Sequence, residues 1–288
     1  MYNIGPTIKK IRISKNLTLK DASSGIMAIS TLSEFESGKR DMSVQNFFNL
    51  VKNLNLTLEE FEYVSKDYNK DSFDKIWKKA LEYAHSNNIS GLRGLYKRLN
   101  NENNGTIDYL NKLRLKNLIA KHDNTYALFQ RERKFIYDYL IKTEEWMKFE
   151  LTLYTAVLDV FKADTVEGLS NQIYAKSHHF EELNENKQLI IQLLINSIAV
   201  MLENDRIDSA IKYQIYVKNI ITDEYMFEKN ILLFASGVIE YKKGNYENGE
   251  KQMLDSIKIF NTLGSHNLAD IYEKNYHDII KKLTKKNE

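Results

Sequence analysis

Between Ile29 and Asp41 the chain reads Ile-Ser-Thr-Leu-Ser-Glu-Phe-Glu-Ser-Gly-Lys-Arg-Asp. These residue types suit recognition of a polyanion better than covalent chemistry. On a helix, Leu32, Phe35 and Glu36 fall at i, i+3 and i+4 and share one face, while Ser30, Ser33 and Ser37 line another, small and polar. Gly38 offers a left-handed residue that stops the helix without steric cost. Lys39 and Arg40 follow at the negative end of the helix dipole, where a cation is favoured and a phosphate can be met. A short helix with one apolar face and one face of small hydrogen-bonding groups fits a DNA major groove. An ordinary surface helix carries serines too, so the neighbouring elements decide the matter.

A second set of polar residues interrupts the most apolar stretch of the chain. Gln192, Asn196, Ala199 and Glu203 fall at i, i+4, i+7 and i+11 of a helix expected over Leu189–Asn204. Groove-lining amides need partners. An amide offers a donor and an acceptor together, which suits an extended peptide backbone. The same positions also describe a plain solvent-facing stripe. Asn230, one turn before Phe234 on the following helix, would continue that surface, and Tyr241 completes the set of peptide-binding candidates: Gln192, Asn196, Asn230, Phe234 and Tyr241.

Motifs for enzymatic chemistry are missing from the sequence. There is no Gly-x-x-x-x-Gly-Lys, Gly-x-Gly-x-x-Gly, Gly-x-Ser-x-Gly or His-Glu-x-x-His. Zero cysteines exclude disulfides, thiolate zinc sites and cysteine nucleophiles. His178 and His179 are adjacent and point apart on a helix, so they do not share a metal. Glu144-Glu145 and Glu181-Glu182 read as solvated faces. No catalytic residue, no metal and no cofactor is expected, and the chain reads as a non-enzyme.

The elements that would position the Ile29–Asp41 run are short helices. Ile4, Ile8 and Ile11 mark the first, with Pro6 in its first turn and Arg12 and Lys15 at its end. Thr18 is the expected N-cap of a second, containing Leu19, Lys20 and Ala22. Gly25 and Ile26 turn into the Ser30 helix. Asp41-Met42-Ser43 offers the next cap, followed by an apolar stripe of Val44, Phe47, Leu50, Val51 and Leu54. Thr57 with Glu60 spells a capping box for a fifth. Five helices in about 60 residues, the second and third tightly joined, is the helix-turn-helix plan.

Residues 66–74 are polar and read as a linker. Helical patterns then run to the end: Phe73 to Ala84, Ile89 to Leu99, Ile107 to Ile119, an aromatic helix from Tyr126 to Leu140, and onward. The turns Asn101–Gly105 and Lys121–Asn124 separate them. Phe234–Phe260 holds Gly237, Gly244-Asn245-Tyr246, Gly249 and Ser256, small residues that let two helices cross closely. Asp205 aligns with Gly244 and Ala210 with Gly249, a period of about 39 residues. Such units bury their faces only by stacking, which builds a curved scaffold suited to peptides or proteins.

These residues carry a family resemblance. Residues 4–62 resemble the lambda-repressor-like helix-turn-helix domain. The run Ser30–Gly38, with Leu54-Asn55-Leu56-Thr57-Leu58-Glu59-Glu60-Phe61, is similar to the Rgg/GadR/MutR branch of regulators. Trp146-Met147-Lys148-Phe149-Glu150-Leu151-Thr152-Leu153 is similar to that branch's Trp-x-x-aromatic-Glu-Leu-x-Leu stretch. Two departures stand out: Leu19 replaces a usual glutamine, and Ala28 and Ile29 replace the polar residues usual at the start of the recognition helix. A relative's operator sequence is therefore not carried over.

The resemblance implies an all-α chain: a five-helix DNA-binding domain (1–65), a linker (66–74) and a tetratricopeptide-like α-solenoid (75–288) that receives a short signalling peptide and dimerises. It implies base-edge contacts from Ile29, Ser30, Ser33 and Glu34, and phosphate contacts from Thr18, Lys20, Lys39 and Arg40. Arg12 and Glu36 are then expected to pair and support the recognition helix, while Trp146, Phe149 and Leu153 are repeat core. The expected partners are a double-stranded DNA operator, the peptide, and a second copy as homodimer, with RNA polymerase a further candidate. A constitutive interaction scaffold without peptide response is the alternative.

Composition agrees with this plan. The net charge is only +2 over 288 residues, but up to Met42 Lys9, Lys10, Arg12, Lys15, Lys20, Lys39 and Arg40 outnumber Asp21, Glu34, Glu36 and Asp41. A modest local excess suits a domain that meets a few phosphates. Lys281, Lys282, Lys285 and Lys286 read as a solvated end. The run Leu189–Leu202 is broken by Gln192, Asn196 and Ser197, short of the roughly 18 apolar residues of a membrane span. No apolar signal region opens the chain, and a cytoplasmic protein without membrane contact is expected.

Overall fold

The computed structural model describes residues 3–67, 72–100, 105–177 and 184–287, and every regular element among them is helical. The chain divides into two compact units, Met1–Glu82 and Tyr83–Glu288.

The first unit holds α1 (Ile4–Ser14), α2 (Leu19–Ser23), α3 (Ile29–Glu36), α4 (Val44–Asn53) and α5 (Leu58–Ser65); α6 (Ser72–His85) runs across the division. The expected linker opens as a turn at Lys66 and Asp67, and residues 68–71 lie outside the described residues. Ile8, Ile11, Ala22, Leu32, Phe35, Leu50, Leu54 and Phe61 form one buried cluster. Caps fix the helix starts. Thr18 with Asp21 and Thr57 with Glu60 form reciprocal capping boxes, and Ser43 accepts from the Asn46 backbone N–H. Gly5 lets α1 lie directly on α3, since a Cβ there would stand 2.0 Å from the Phe35 carbonyl oxygen. The α4 stripe departs from expectation at its start. Val44 is 70% exposed, because the cluster covers α4 only from Phe47 onward.

The second unit comprises α7 (Ile89–Asn100), α8 (Thr106–Ala120), a 3-10 turn (Asn124–Tyr126), α9 (Gln130–Lys142), α10 (Lys148–Val157), α11 (Ala163–Ser177), α12 (Asn184–Glu203), α13 (Ile207–Ile220), α14 (Met226–Lys242), α15 (Tyr246–Thr262) and α16 (His266–Asn287). The aromatic helix expected over Tyr126–Leu140 starts later, at Gln130. Asp123 caps the 3-10 turn, and Glu132 accepts from the Phe129 backbone N–H to begin α9 anew. Asn101–Asn104, His178, His179, Glu181 and Glu182 lie outside the described residues.

Helices α8, α10, α12 and α14 pack side by side in a row. Around them α11 packs against α12, α13 against α12 and α14, and α15 against α14 and α16. Trp146, Leu153 and Tyr154 are fully buried in the continuous core. Asp205 and Gly244, the aligned turn residues, both adopt positive φ (56° and 91°). Gly237 and Gly249 face one another where α14 crosses α15: a Cβ on Gly249 would lie 2.5 Å from the Tyr241 nitrogen and 2.7 Å from the Gly237 oxygen.

Candidate functional site

Helix α3 presents its polar face because its other face is pinned. Leu32 and Phe35 are buried, and so is Glu36, whose two carboxylate oxygens each accept from Arg12 at 2.7 Å. Arg12 Nη1 also donates to the Leu17 carbonyl at 2.8 Å, tying α1 to both α3 and the approach to α2. The Glu36 bonds hold the guanidinium proton more tightly than usual, against the cost of burial. This planar two-point fork orients α3 about its own axis, which a lysine could not do.

Helix α3 ends as the residue types require. Gly38 has φ 72°, its N–H donates to the Phe35 carbonyl, and the Lys39 N–H donates to the Glu34 carbonyl. This closes the last turn as a Schellman motif. Thr18, Lys20, Ile29, Ser30, Ser33, Glu34, Lys39 and Arg40 are all exposed. Glu34 and Arg40, assigned separately to base and phosphate, lie together as an exposed ion pair at 3.4 Å. Such a pair contributes little to stability. The Thr18 hydroxyl is engaged with Asp21 as a cap, which leaves the α2 start well ordered.

Sequence reading passes over Asn53. Its Nδ2 donates to the Ala22 carbonyl at 3.1 Å and the Ser24 carbonyl at 2.8 Å, closing the end of α2 just before the turn into α3. Lys15 similarly reaches the Asn55 carbonyl at 2.9 Å. The only available signal was that α2 ends without a local partner for its last carbonyls, which some distant donor must satisfy.

In the second unit, Glu185, Gln188, Asn196, Ala199 and Glu203 form the exposed stripe of α12, with Gln192 half-buried among them. Asn196 has no hydrogen-bond partner among the described residues, and its amide faces solvent. Gln188 and Gln192 both donate to Glu228 Oε1 on α14, each at 2.9 Å. Asn230 and Phe234 do not continue this surface. Asn230 is buried and donates to the Ser256 carbonyl of α15, which returns a hydroxyl bond to the Asn230 carbonyl. Phe234 is buried edge-to-face against Tyr272 of α16. Tyr241 is half-buried beside Tyr246 at the α14–α15 crossing. From Glu228 to Lys242 helix α14 has no exposed residue, so helical spacing alone does not show which of its faces a neighbour covers.

Residues 93–274 match the family model described as the C-terminal domain of HTH-type transcriptional regulator Rgg, and residues 8–61 match a helix-turn-helix model. The chain belongs to the Rgg family. It shares its fold with the Streptococcus dysgalactiae SHP pheromone receptor Rgg2, at 22% identity and a TM-score of 0.83 over 96% of this chain and 99% of that one. It also resembles the PrgX/cCF10 complex (15% identity, TM-score 0.73, 98% and 94% covered). A further likeness is to a bacterial peptide pheromone/receptor complex (16% identity, TM-score 0.70, 97% and 99% covered). This Rgg-family chain is therefore a DNA-binding transcription regulator built from a helix-turn-helix unit and a helical-pair unit. Among its described residues no helix is long and apolar enough to cross a membrane.

Proposed function

We propose that the chain reads a two-half-site operator as a cytoplasmic homodimer and changes its promoter binding or activation when a short signalling peptide occupies the exposed stripe of α12. The observation that carries the peptide reading is the ladder of amides at Gln188, Gln192 and Asn196. Residues four apart on a helix rise about 6 Å, close to the roughly 6.6–6.8 Å repeat of every second residue in an extended chain. Each rung can donate to and accept from a peptide backbone. The likeness to Rgg2, a pheromone receptor, and to PrgX in complex with cCF10 supports the reading.

On the DNA side, Ile29, Ser30, Ser33 and Glu34 face the bases, and Thr18, Lys20, Lys39 and Arg40 the phosphates. Two half-sites supply the contacts that one small domain lacks. Peptide binding shifts the population between dimer geometries and so the spacing of the two α3 helices. RNA polymerase is the partner through which activation would run.

Two measurements test this. Mobility shifts of promoter fragments between 50 and 200 mM salt should show a slope that flattens by about two units when Lys39 and Arg40 are both changed to alanine. An unchanged slope rejects the phosphate assignment, and no shift at any salt favours the constitutive scaffold. Native mass spectrometry of the protein drawn from its own host should carry the added mass of a short peptide, which Asn196→Ala depletes. A peptide retained equally by that variant moves the site off α12.

A further inference from the structure

We propose that Glu228, screened by Gln188 and Gln192, is the anchor for an ammonium group of the peptide bound along α12. The inference rests on the peptide-receptor reading above. It assigns the chemistry at one end of that site.

Glu228 is 1% exposed. Buried carboxylates need a cation or a full set of donors. The other buried glutamates among the described residues have one or the other. Glu36 has the Arg12 guanidinium. Glu132 has the Lys116 ammonium at 2.7 Å on both oxygens, and the Phe129 N–H. Glu150 has the Tyr139 hydroxyl at 2.6 Å and the Met147 N–H at 3.1 Å, one on each oxygen. Glu228 differs from all three: two neutral amides converge on Oε1, and Oε2 has no hydrogen-bond partner among the described residues.

Cations nearby in sequence are engaged elsewhere. Lys229 pairs with Asp223, and the Lys187 ammonium lies over the Tyr225 ring. The first turn of α14 supplies only the partial positive charge of a helix start. No whole cation pairs with Glu228 among the described residues, and Oε2 is not sealed off like the fully buried, unpartnered Asn230 Oδ1, so an incoming group can reach it.

The position suits a ligand. Gln188 and Gln192 are the first two rungs of the amide ladder that Asn196 continues. Gln188 is exposed, so rotation of its long side chain uncovers the carboxylate. An ammonium has three donors and no acceptor: it can take Oε2 of Glu228 and the carbonyl oxygens of both glutamines. A peptide held there by its amino terminus would run along α12 toward Asn196 in one direction only. A lysine side chain offers the same ammonium without fixing the direction.

The test uses the full chain and three synthetic octapeptide mixtures of Ala, Val, Leu, Ile, Gly and Ser, all amidated at the carboxyl end. One has a free amino terminus, one is acetylated, and one is acetylated with a single lysine. Retention is read by affinity-selection mass spectrometry on the natural protein and on Glu228→Gln. Retention of the free-terminus mixture at least about ten-fold above the acetylated lysine-free one, falling to parity on Glu228→Gln, supports the anchor with the amino terminus as its ligand. The same preference for the lysine mixture alone supports the anchor with a side chain as its ligand.

Equal retention of all three mixtures, or a preference that survives Glu228→Gln, overturns the anchor and leaves the receptor reading standing. Retention of none overturns both. The melting temperature of peptide-free Glu228→Gln should be unchanged or raised, since glutamine keeps an acceptor oxygen for both amides and needs no counter-cation. A fall of several degrees would make Glu228 a structural residue and overturn the proposal.

Discussion

Glu36 and Glu228 are each buried near the start or end of a helix, yet their surroundings are opposite. Glu36 closes α3 with both oxygens filled by Arg12, so the N-terminal unit presents its recognition face already fixed. Glu228 opens α14 with one oxygen filled by amides and no cation. A DNA-reading helix gains from being preorganised, because every degree of freedom left open is lost again on binding. On the reading proposed above, a receptor that switches gains from a site whose last partner arrives with the ligand. The two units therefore place the same side chain in opposite surroundings: paired with a guanidinium in the first, met only by amides in the second.

The sharpest way to break that comparison is Arg12→Ala. It strands Glu36, 4% exposed, as a buried unpaired charge. The expected cost is about 3–5 kcal/mol of stability in the N-terminal unit, read by denaturant melts, with operator binding lost alongside. A cost below about 1 kcal/mol would mean that α3 is held by Leu32 and Phe35 alone and that the pair is ornamental. Glu228→Gln, by contrast, should not destabilise the chain.

A smaller effect separates crossings that are full from those that are open. Alanine ordinarily stabilises a mid-helix glycine position by about 0.5–1 kcal/mol. Gly168 in α11 has nothing within 4 Å of a built Cβ, so Gly168→Ala should follow that rule. Gly249 would place its Cβ against the Tyr241 and Gly237 backbone. Gly249→Ala should instead destabilise by about 1–3 kcal/mol. Equal signs for the two in thermal melts would show that α14 and α15 slide apart freely, and that the second unit is softer than its packing indicates.

Much of this was legible in the residues. Caps at Thr18, Ser43 and Thr57, the stop at Gly38, the repeat turns at Asp205 and Gly244 and the glycine crossing are local chemistry, and local chemistry is what spacing reports. The Arg12–Glu36 fork was legible only through the fold class, since its partners are 24 residues apart. Asn53, Lys176 and Glu228 were not legible. Lys176 donates to the Leu140, Ile141 and Thr143 carbonyls at the end of α9, more than 30 residues away. Glu228 reads from sequence as an ordinary first-turn acid, and only the stacking of α12 beside α14 shows that it is buried. Asn230 went the other way: its helical phase matched the surface, but α15 covers that face.

The smallest effect concerns the caps, where acid provides the probe. Asp21 sits below the usual carboxylate range, held there first by the Thr18 hydroxyl and then by the Thr18 backbone N–H. Glu60 is also depressed, but the Thr57 backbone N–H leads and its hydroxyl follows. A folded-state pKa below the unfolded value gives stability that is fully present above about pH 4 and is lost as pH falls through the folded value. Both caps should therefore steepen the acid limb of the N-terminal unit's stability. Removing a hydroxyl while keeping the backbone N–H should act unequally on them. Thr18→Ala should flatten the limb more than Thr57→Ala, although each lowers the neutral-pH melting temperature by only a few degrees. Melts of the two variants at pH 3 and pH 7 check this. If Thr57→Ala flattens the limb as much or more, the hydroxyl rather than the amide governs both boxes. The two helix starts of this unit would then be chemically equivalent, and α2 would have no separate dependence on Thr18 for its order.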